Sequence, residues 1–195
     1  MSDKLPRTFL GFDLPRSVSE RVVGLRTLVD DPKSAVKWVK GRNIHLTMRY
    51  LGPTPAGILP EITDQVSQVV SPLLPIRVSV EGTGVFTAPS RPRVLWLGLA
   101  GETGRLAELE QAIHAAIGPL GFPREERRYT PHITIGRVRY PQKITPDVTN
   151  FLAARYEPVD LNLSELHLFE SRQENRGVIY VKLAGFPLSP MDQEK

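Results

Sequence analysis

Two segments, His45-Leu46-Thr47-Met48 and His132-Ile133-Thr134-Ile135, repeat one pattern of histidine, apolar, threonine, apolar, and nothing else in the chain constrains the fold as tightly. Along a strand successive side chains point to opposite faces. His45 and Thr47 therefore share one face against Leu46 and Met48, and His132 and Thr134 share one against Ile133 and Ile135. Each segment reads as a strand with its apolar side in a core and an imidazole plus a hydroxyl on the other side. Strands and helices alternate twice in a similar order, and one such strand in each half of the chain predicts an α+β fold of two related lobes facing across a groove.

The flanking pattern fills in the elements. Arg7 to Leu14 reads as a strand ended by Pro15. A helix follows, with Ser17-Val18-Ser19-Glu20 as a capping box and Val18, Val22, Leu25 and Val29 on one face. Val36 to Val39 and Ile44 to Leu51 read as strands separated by a Gly41-Arg42-Asn43 turn. Ile58 to Val70 has helical spacing with Pro60 in its first turn, and Pro72 to Pro75 marks the expected lobe boundary. Strands are expected at Ile76 to Val80 and Arg93 to Leu99. Thr103 is placed to cap a helix whose face is Leu106, Leu109, Ile113 and Ile117. Tyr129 to Val138 reads as a strand, Pro146 to Ala154 as a short helix, and Val159 to Phe169 and Val178 to Leu183 as strands. Residues 1–188 are expected to form a single bilobal domain and 189–195 a disordered tail.

Composition narrows the chemistry. With no cysteine, disulfides, thiolate catalysis and cysteine-ligated metal centres are excluded. A net charge of +4 favours a polyanionic partner such as RNA without requiring one. The chain has neither a long apolar run nor a signal-like start, so a cytoplasmic protein with no membrane partner is expected.

An imidazole with a reference pKa of about 6.5 serves near neutrality as base or acid. Two of them supply what phosphodiester cleavage needs: one deprotonates the nucleophile and the other protonates the departing oxygen. The Thr47 and Thr134 hydroxyls can donate to nonbridging phosphate oxygens. A catalytic zinc takes about three protein ligands, and neither motif has a further histidine or carboxylate at ligand spacing, so no metal or other cofactor is expected.

The segments Asn43-Ile44-His45-Leu46-Thr47-Met48-Arg49-Tyr50-Leu51-Gly52 and Tyr129-Thr130-Pro131-His132-Ile133-Thr134-Ile135-Gly136-Arg137 resemble the two-histidine phosphoesterase superfamily. Arg7 to Pro15, Trp38 and Val94-Leu95-Trp96-Leu97-Gly98 are similar to the bacterial and archaeal RNA 2',3'-cyclic phosphodiesterases, also called 2'-5' RNA ligases. The similarity spans about Arg7 to Leu183. It implies a bilobal α+β fold, two pseudo-symmetric lobes of antiparallel sheet with outer helices around a positively lined central cleft, and metal-independent hydrolysis of a terminal 2',3'-cyclic phosphate to a 2'-phosphate, with reverse 2'-5' ligation associated with the family. It also implies His45 as the acid protonating the 3'-oxygen and His132 as the base activating water, roles the residues alone leave open. Arg137 matches a family arginine that contacts phosphate. Strict alternation puts it opposite His132, and a strand end or a bulge at Gly136 would resolve this.

Three further residues are candidate substrate contacts. Arg49 shares the His45 face by parity, with a solvated strand residue as its other reading. Phe9 and Trp38 can stack a base, although aromatic residues beside strands more often belong to the core. His114, one position past Ile113, is expected to be exposed and without function. His167, between Leu166 and Leu168, is read as structural, and the run Arg124 to Arg128 as a solvated loop. The expected partner is RNA with a terminal cyclic phosphate, or a nucleotide; no protein partner is implied, and a monomer is expected. Other readings keep the site but change the substrate to a small cyclic nucleotide, ADP-ribose cyclic phosphate or a 2'-5' oligonucleotide, or make the chain a noncatalytic RNA-binding protein. Binding alone needs no matched pair of acid-base groups, which counts against the last.

Overall fold

The computed structural model describes residues 5–32, 35–123, 128–140, 145–175 and 177–188. The expected tail at 189–195 and most of the Arg124 to Arg128 run lie outside them.

Strand β1 (Arg7–Asp13) leads into helix α1 (Arg16–Arg26), followed by β2 (Val36–Trp38) and β3 (His45–Pro53). Helix α2 (Leu59–Val70) precedes the long hairpin of β4 (Ile76–Ala88) and β5 (Arg91–Gly101). Helix α3 (Thr103–Ile117), β6 (Ile133–Val138), the single turn α4 (Thr149–Leu152), β7 (Val159–Leu163), β8 (Glu165–Glu174) and β9 (Gly177–Pro187) complete the chain. The strands form two antiparallel sheets, ordered β3-β1-β8-β9 and β2-β6-β5-β4-β7. The α+β class and the paired sheets agree with the sequence reading.

The lobe boundary does not. β2, from the first half of the chain, pairs with β6 in the second sheet, and β8 and β9, from the end, return to the first. No cut near Pro72 to Pro75 separates the two. β2 and β3 are neighbours in sequence yet belong to different sheets, because the 3-10 turn at Gly41–Asn43 turns the chain between them.

Both capping expectations also fail. Pro15, with φ −66°, occupies the cap of α1, so Ser17 is already helical; Ser19 donates to the Arg16 carbonyl and Glu20 pairs with Arg16 at 2.9 Å. Proline's fixed φ sets the start of the helix without a side-chain acceptor. At α3 the cap position is Glu102 rather than Thr103. One Glu102 oxygen accepts from the Arg77 amide at 2.7 Å and from Arg105 at 3.1 Å, tying the helix to β4.

One apolar core runs through the molecule. It takes Leu46 and Met48 from β3, Ile133 and Ile135 from β6, and the inner faces of the helices: Val18, Val22 and Leu25, then Ile62, Val66 and Val70, then Leu106, Leu109, Ile113 and Ile117. His114 follows this face inward. It is buried, 2.5 Å from Glu110, which corrects the expectation of an exposed residue. Its Nε2 meets the Glu110 carboxylate one turn back, which offsets part of the cost of burial, while Nδ1 is buried without a hydrogen-bond partner among the described residues. Among the described residues no helix is long and apolar enough to cross a membrane.

Candidate active site

Both motif histidines are held in the same way. His45 Nδ1 lies 2.7 Å from the carbonyl of Asn43 and His132 Nδ1 lies 2.8 Å from that of Thr130, each two residues back. A carbonyl only accepts, so Nδ1 carries the proton in each ring and Nε2 is the nitrogen that can take up or release one. The Thr47 hydroxyl stands 2.9 Å from His45 Nε2. The anchors are themselves fixed: buried Asn43 donates from Nδ2 to the Val178 carbonyl at 2.8 Å, and the Tyr129 hydroxyl donates to the Thr47 carbonyl at 3.0 Å, joining the two motif regions. β6 begins at Ile133, so His132 precedes the strand that was expected to contain it.

Aromatic rings set each imidazole. His45 lies 4.7 Å from the Phe9 ring and 5.0 Å, edge-on, from Tyr180. His132 lies 4.7 Å, edge-on, from Phe86 and 6.5 Å from Trp96. Burial pulls both histidines below their usual pKa, the backbone bond opposes it, and the Arg137 guanidinium pushes both down further. Asp13, the cross-strand partner of His45, pushes that histidine alone back up. The charge of Arg137 acts on His45 and Tyr180 of the first sheet and on His132 beside its own, and His132 acts on His45, so the two motifs face one shared region.

Arg137 reaches the groove through a bulge. Along the β5–β6 pairing Leu95 opposes Gly136 while Trp96 opposes Thr134, so Ile135 is an extra residue and parity reverses after it. The expected irregularity is thus present one residue earlier than Gly136. β3 has its counterpart: Leu10 opposes Arg49 and Gly11 opposes Thr47, which leaves Met48 as the extra residue. Here the reversal carries Arg49 away from the His45 face. Arg49 is buried, and its Nη2 donates to the Pro123 carbonyl at 2.5 Å.

The aromatic candidates divide. Phe9 is 4% exposed and stacks on Phe169 at 5.0 Å, so it forms the floor beneath His45 rather than an open stacking surface. Trp38 opposes Gly136 on the face away from Arg137, with the Arg26 guanidinium of α1 at 5.3 Å from its ring. It does not line the groove. His167 is buried beside Glu165 at 3.2 Å. Asn43, Tyr129, Phe86, Trp96 and Tyr180 were not singled out from the sequence as site residues. Alternation along Val178-Ile179-Tyr180 gave a faint signal for Tyr180, and Phe86 fell beyond the end of the expected strand. Among the described residues no group of three or more histidine or carboxylate side chains is gathered closely enough to hold a metal ion.

Two antiparallel sheets, each bringing one histidine-threonine strand to a shared groove, define a two-histidine phosphoesterase. Residues 14–175 match the 2'-5' RNA ligase superfamily, and the chain belongs to it. It is 31% identical over 186 residues to an RNA 2',3'-cyclic phosphodiesterase of Methanothermobacter thermautotrophicus, covering 93% of this chain and 98% of the relative. It is 29% identical over 189 residues to the protein of that name from Aquifex aeolicus, covering 95% and 98%. Among solved structures, a Thermus thermophilus protein aligns with a TM-score of 0.77 at 24% identity over 95% of this chain and 99% of that one. E. coli LigT aligns in its apo form with a TM-score of 0.72 at 22% identity, covering 95% and 99%.

Proposed function

We propose that this chain is an RNA 2',3'-cyclic phosphodiesterase that opens a terminal cyclic phosphate to a 2'-phosphate, with His45 and His132 as its acid and base. The observation that carries the reading is the matched pair of imidazoles, each donating from Nδ1 to an equivalent carbonyl and both under the field of Arg137. His132 Nε2 takes a proton from water as the water oxygen bonds to phosphorus. The bond from phosphorus to O3' breaks, and His45 Nε2 delivers its proton to O3', leaving a 3'-hydroxyl and a 2'-phosphate. Water is consumed, and solvent returns each ring to its starting state. Thr47, Thr134 and Arg137 hold the nonbridging oxygens, where charge accumulates. Asp13 supports this assignment of roles, because it favours the protonated form of His45 alone.

The same groups run in reverse would join a 2'-hydroxyl end to a cyclic phosphate, so 2'-5' ligation is part of the proposal. A cytoplasmic site of action, RNA ends as the partner, and a monomer belong to it as well. The names of the curated relatives support the substrate. The test is an oligoribonucleotide ending in a 2',3'-cyclic phosphate, incubated in EDTA with wild type, His45→Ala and His132→Ala, and analysed for the position of the terminal phosphate. A 2'-phosphate that neither variant makes is expected; a 3'-phosphate, or turnover abolished by EDTA, would overturn the mechanism.

A further inference from the structure

Beside Arg137, on the edge of the second sheet, stands a feature the proposed chemistry does not use. β2 is the outermost strand of that sheet, and Lys37 is the cross-strand partner of Arg137. Directly opposed residues on neighbouring strands share a face at about 5 Å between Cα atoms. The flanking residues settle which face it is: a methyl group on Gly136 would meet Val36 Cγ1 and the Trp38 ring, so Val36 and Trp38 point toward α1 and Lys37 points the other way, with Arg137. Lys37 is exposed, as is Arg139, one residue past the end of β6, whose amide donates to the Ala35 carbonyl at 3.0 Å, so the pairing continues there and alternation puts Arg139 on the side of Arg137, roughly 7 Å along the chain.

Three cations thus follow one another from the groove to the sheet edge. Among the described residues none of the three has an acidic partner, and no acidic side chain lies opposite Arg137 in the pairing. Two like charges placed directly opposite on adjacent strands weaken a sheet. An anion seated between Lys37 and Arg137 relieves that repulsion. The reacting phosphate accounts for Arg137, which faces both histidines, but not for Lys37 and Arg139 on its outer side.

We infer that Lys37 and Arg139 form a subsite for the phosphodiester upstream of the reacting nucleotide, so that the enzyme selects the end of an RNA strand over a free cyclic mononucleotide. This rests on the proposed phosphodiesterase reading. A cyclic mononucleotide carries the reacting phosphate but lacks the upstream one. The strand end carries both, and each added phosphate contact on a single strand steepens the dependence of binding on log salt by about 0.7.

The experiment measures kcat/KM for a 2',3'-cyclic mononucleotide and for a short oligoribonucleotide with the same terminal nucleotide, from low to moderate salt. The wild-type ratio should favour the oligonucleotide, and should fall by roughly tenfold in Lys37→Ala/Arg139→Ala with a salt slope shallower by about 0.7 for the one lost phosphate contact. Lys37→Arg should keep the preference. A ratio and slope unaltered by the double substitution would overturn the subsite while leaving the proposed function standing. Failure of the wild type to hydrolyse either substrate would instead remove the phosphodiesterase reading itself.

Discussion

Substituting Gly136 by alanine sets one methyl group against the strand that carries Lys37. The new Cβ would lie 2.9 Å from Val36 Cγ1 and 3.2 and 3.3 Å from Trp38 Cε3 and Cζ3. Carbon atoms in ordinary contact stand at about 3.5–4.0 Å, so the neighbours must yield by roughly 0.5–1 Å. Neither yields easily. Val36 is β-branched and 6% exposed, and Trp38 is backed by Arg26, which also donates to the Val39 carbonyl at 2.6 Å. β2 itself is short, pairing with β6 through three residues, so the strand as a whole is pushed outward. Overpacking of this kind costs about 1–3 kcal/mol. At roughly 2–4 °C per kcal/mol for a chain of this size, the thermal midpoint should fall by about 2–12 °C. Circular dichroism melts measure this, with kcat/KM on a cyclic-phosphate substrate alongside, because Arg137 follows directly after the altered residue. Adding Val36→Ala removes the closest atom, and the pair should be less destabilised than the sum of the singles by at least about 0.5 kcal/mol. A wild-type midpoint for Gly136→Ala, or strict additivity of the pair, would refute the claim that Gly136 is required by the packing of β2.

Four other outcomes are expected. His45→Ala and His132→Ala should each lose about 10²–10⁴-fold in kcat, and the double variant should lose far less than their product, since both act in one step. Thr47→Ala and Thr134→Ala should slow turnover by on the order of 10²-fold with an unchanged melting curve; wild-type rates would remove the hydroxyls from the site. Arg137 lowers the pKa of both histidines, so Arg137→Gln should move both limbs of the kcat/KM profile to higher pH, whereas Asp13→Asn should move only the His45 limb, and to lower pH; limbs that stay fixed would count against these couplings. Finally, burial holds His45, His132 and His167 below the unfolded value of 6.5, so the unfolded chain binds more protons in this range. Stability should be full above pH 6.5 and lost as pH falls toward the folded values, which thermal midpoints measured across that interval will detect.

The sequence displayed the two motif strands because their chemistry is periodic: Leu46, Met48, Ile133 and Ile135 alternate with the polar residues, and burial of that face is what orients the histidines. Features that break periodicity were harder to read. Nothing local identifies Met48 or Ile135 as an extra residue, since a bulge is defined by the strand across from it, so the faces of Arg49 and Arg137 could not be fixed from parity. β4 runs to Ala88, past the Val80 end expected for it and through Gly82 and Gly84. Gly84 makes room for Trp96, whose ring would lie 2.1 Å from an added Cβ. The crossing of β2 into the second sheet was hidden for a related reason, because pairing partners far apart in sequence leave no trace in a short window. That crossing is also what hid Lys37, whose place beside Arg137 depends on it.

The near-equivalence of the two halves explains how one site obtains two different histidines. Both motifs bulge at their fourth position, and both fix their imidazole through a carbonyl two residues back, so tautomer and orientation come from the shared part of the pattern. The differences begin immediately after the bulge. In β3 the core position holds Arg49 and the groove position Tyr50, while in β6 these are Gly136 and Arg137. The only groove arginine contributed by the two motifs therefore comes from the His132 side and lowers both rings, whereas the His45 side alone has a carboxylate, Asp13, as cross-strand neighbour, itself held at 2.9 Å by Lys182 from β9. Matched geometry with unequal charge thus gives two imidazoles, both held below their usual pKa by burial and Arg137, different electrostatic surroundings: Asp13 opposes the lowering at His45 and has no counterpart among the groups acting on His132. A proposed acid and base facing one phosphate need their surroundings to differ in this way.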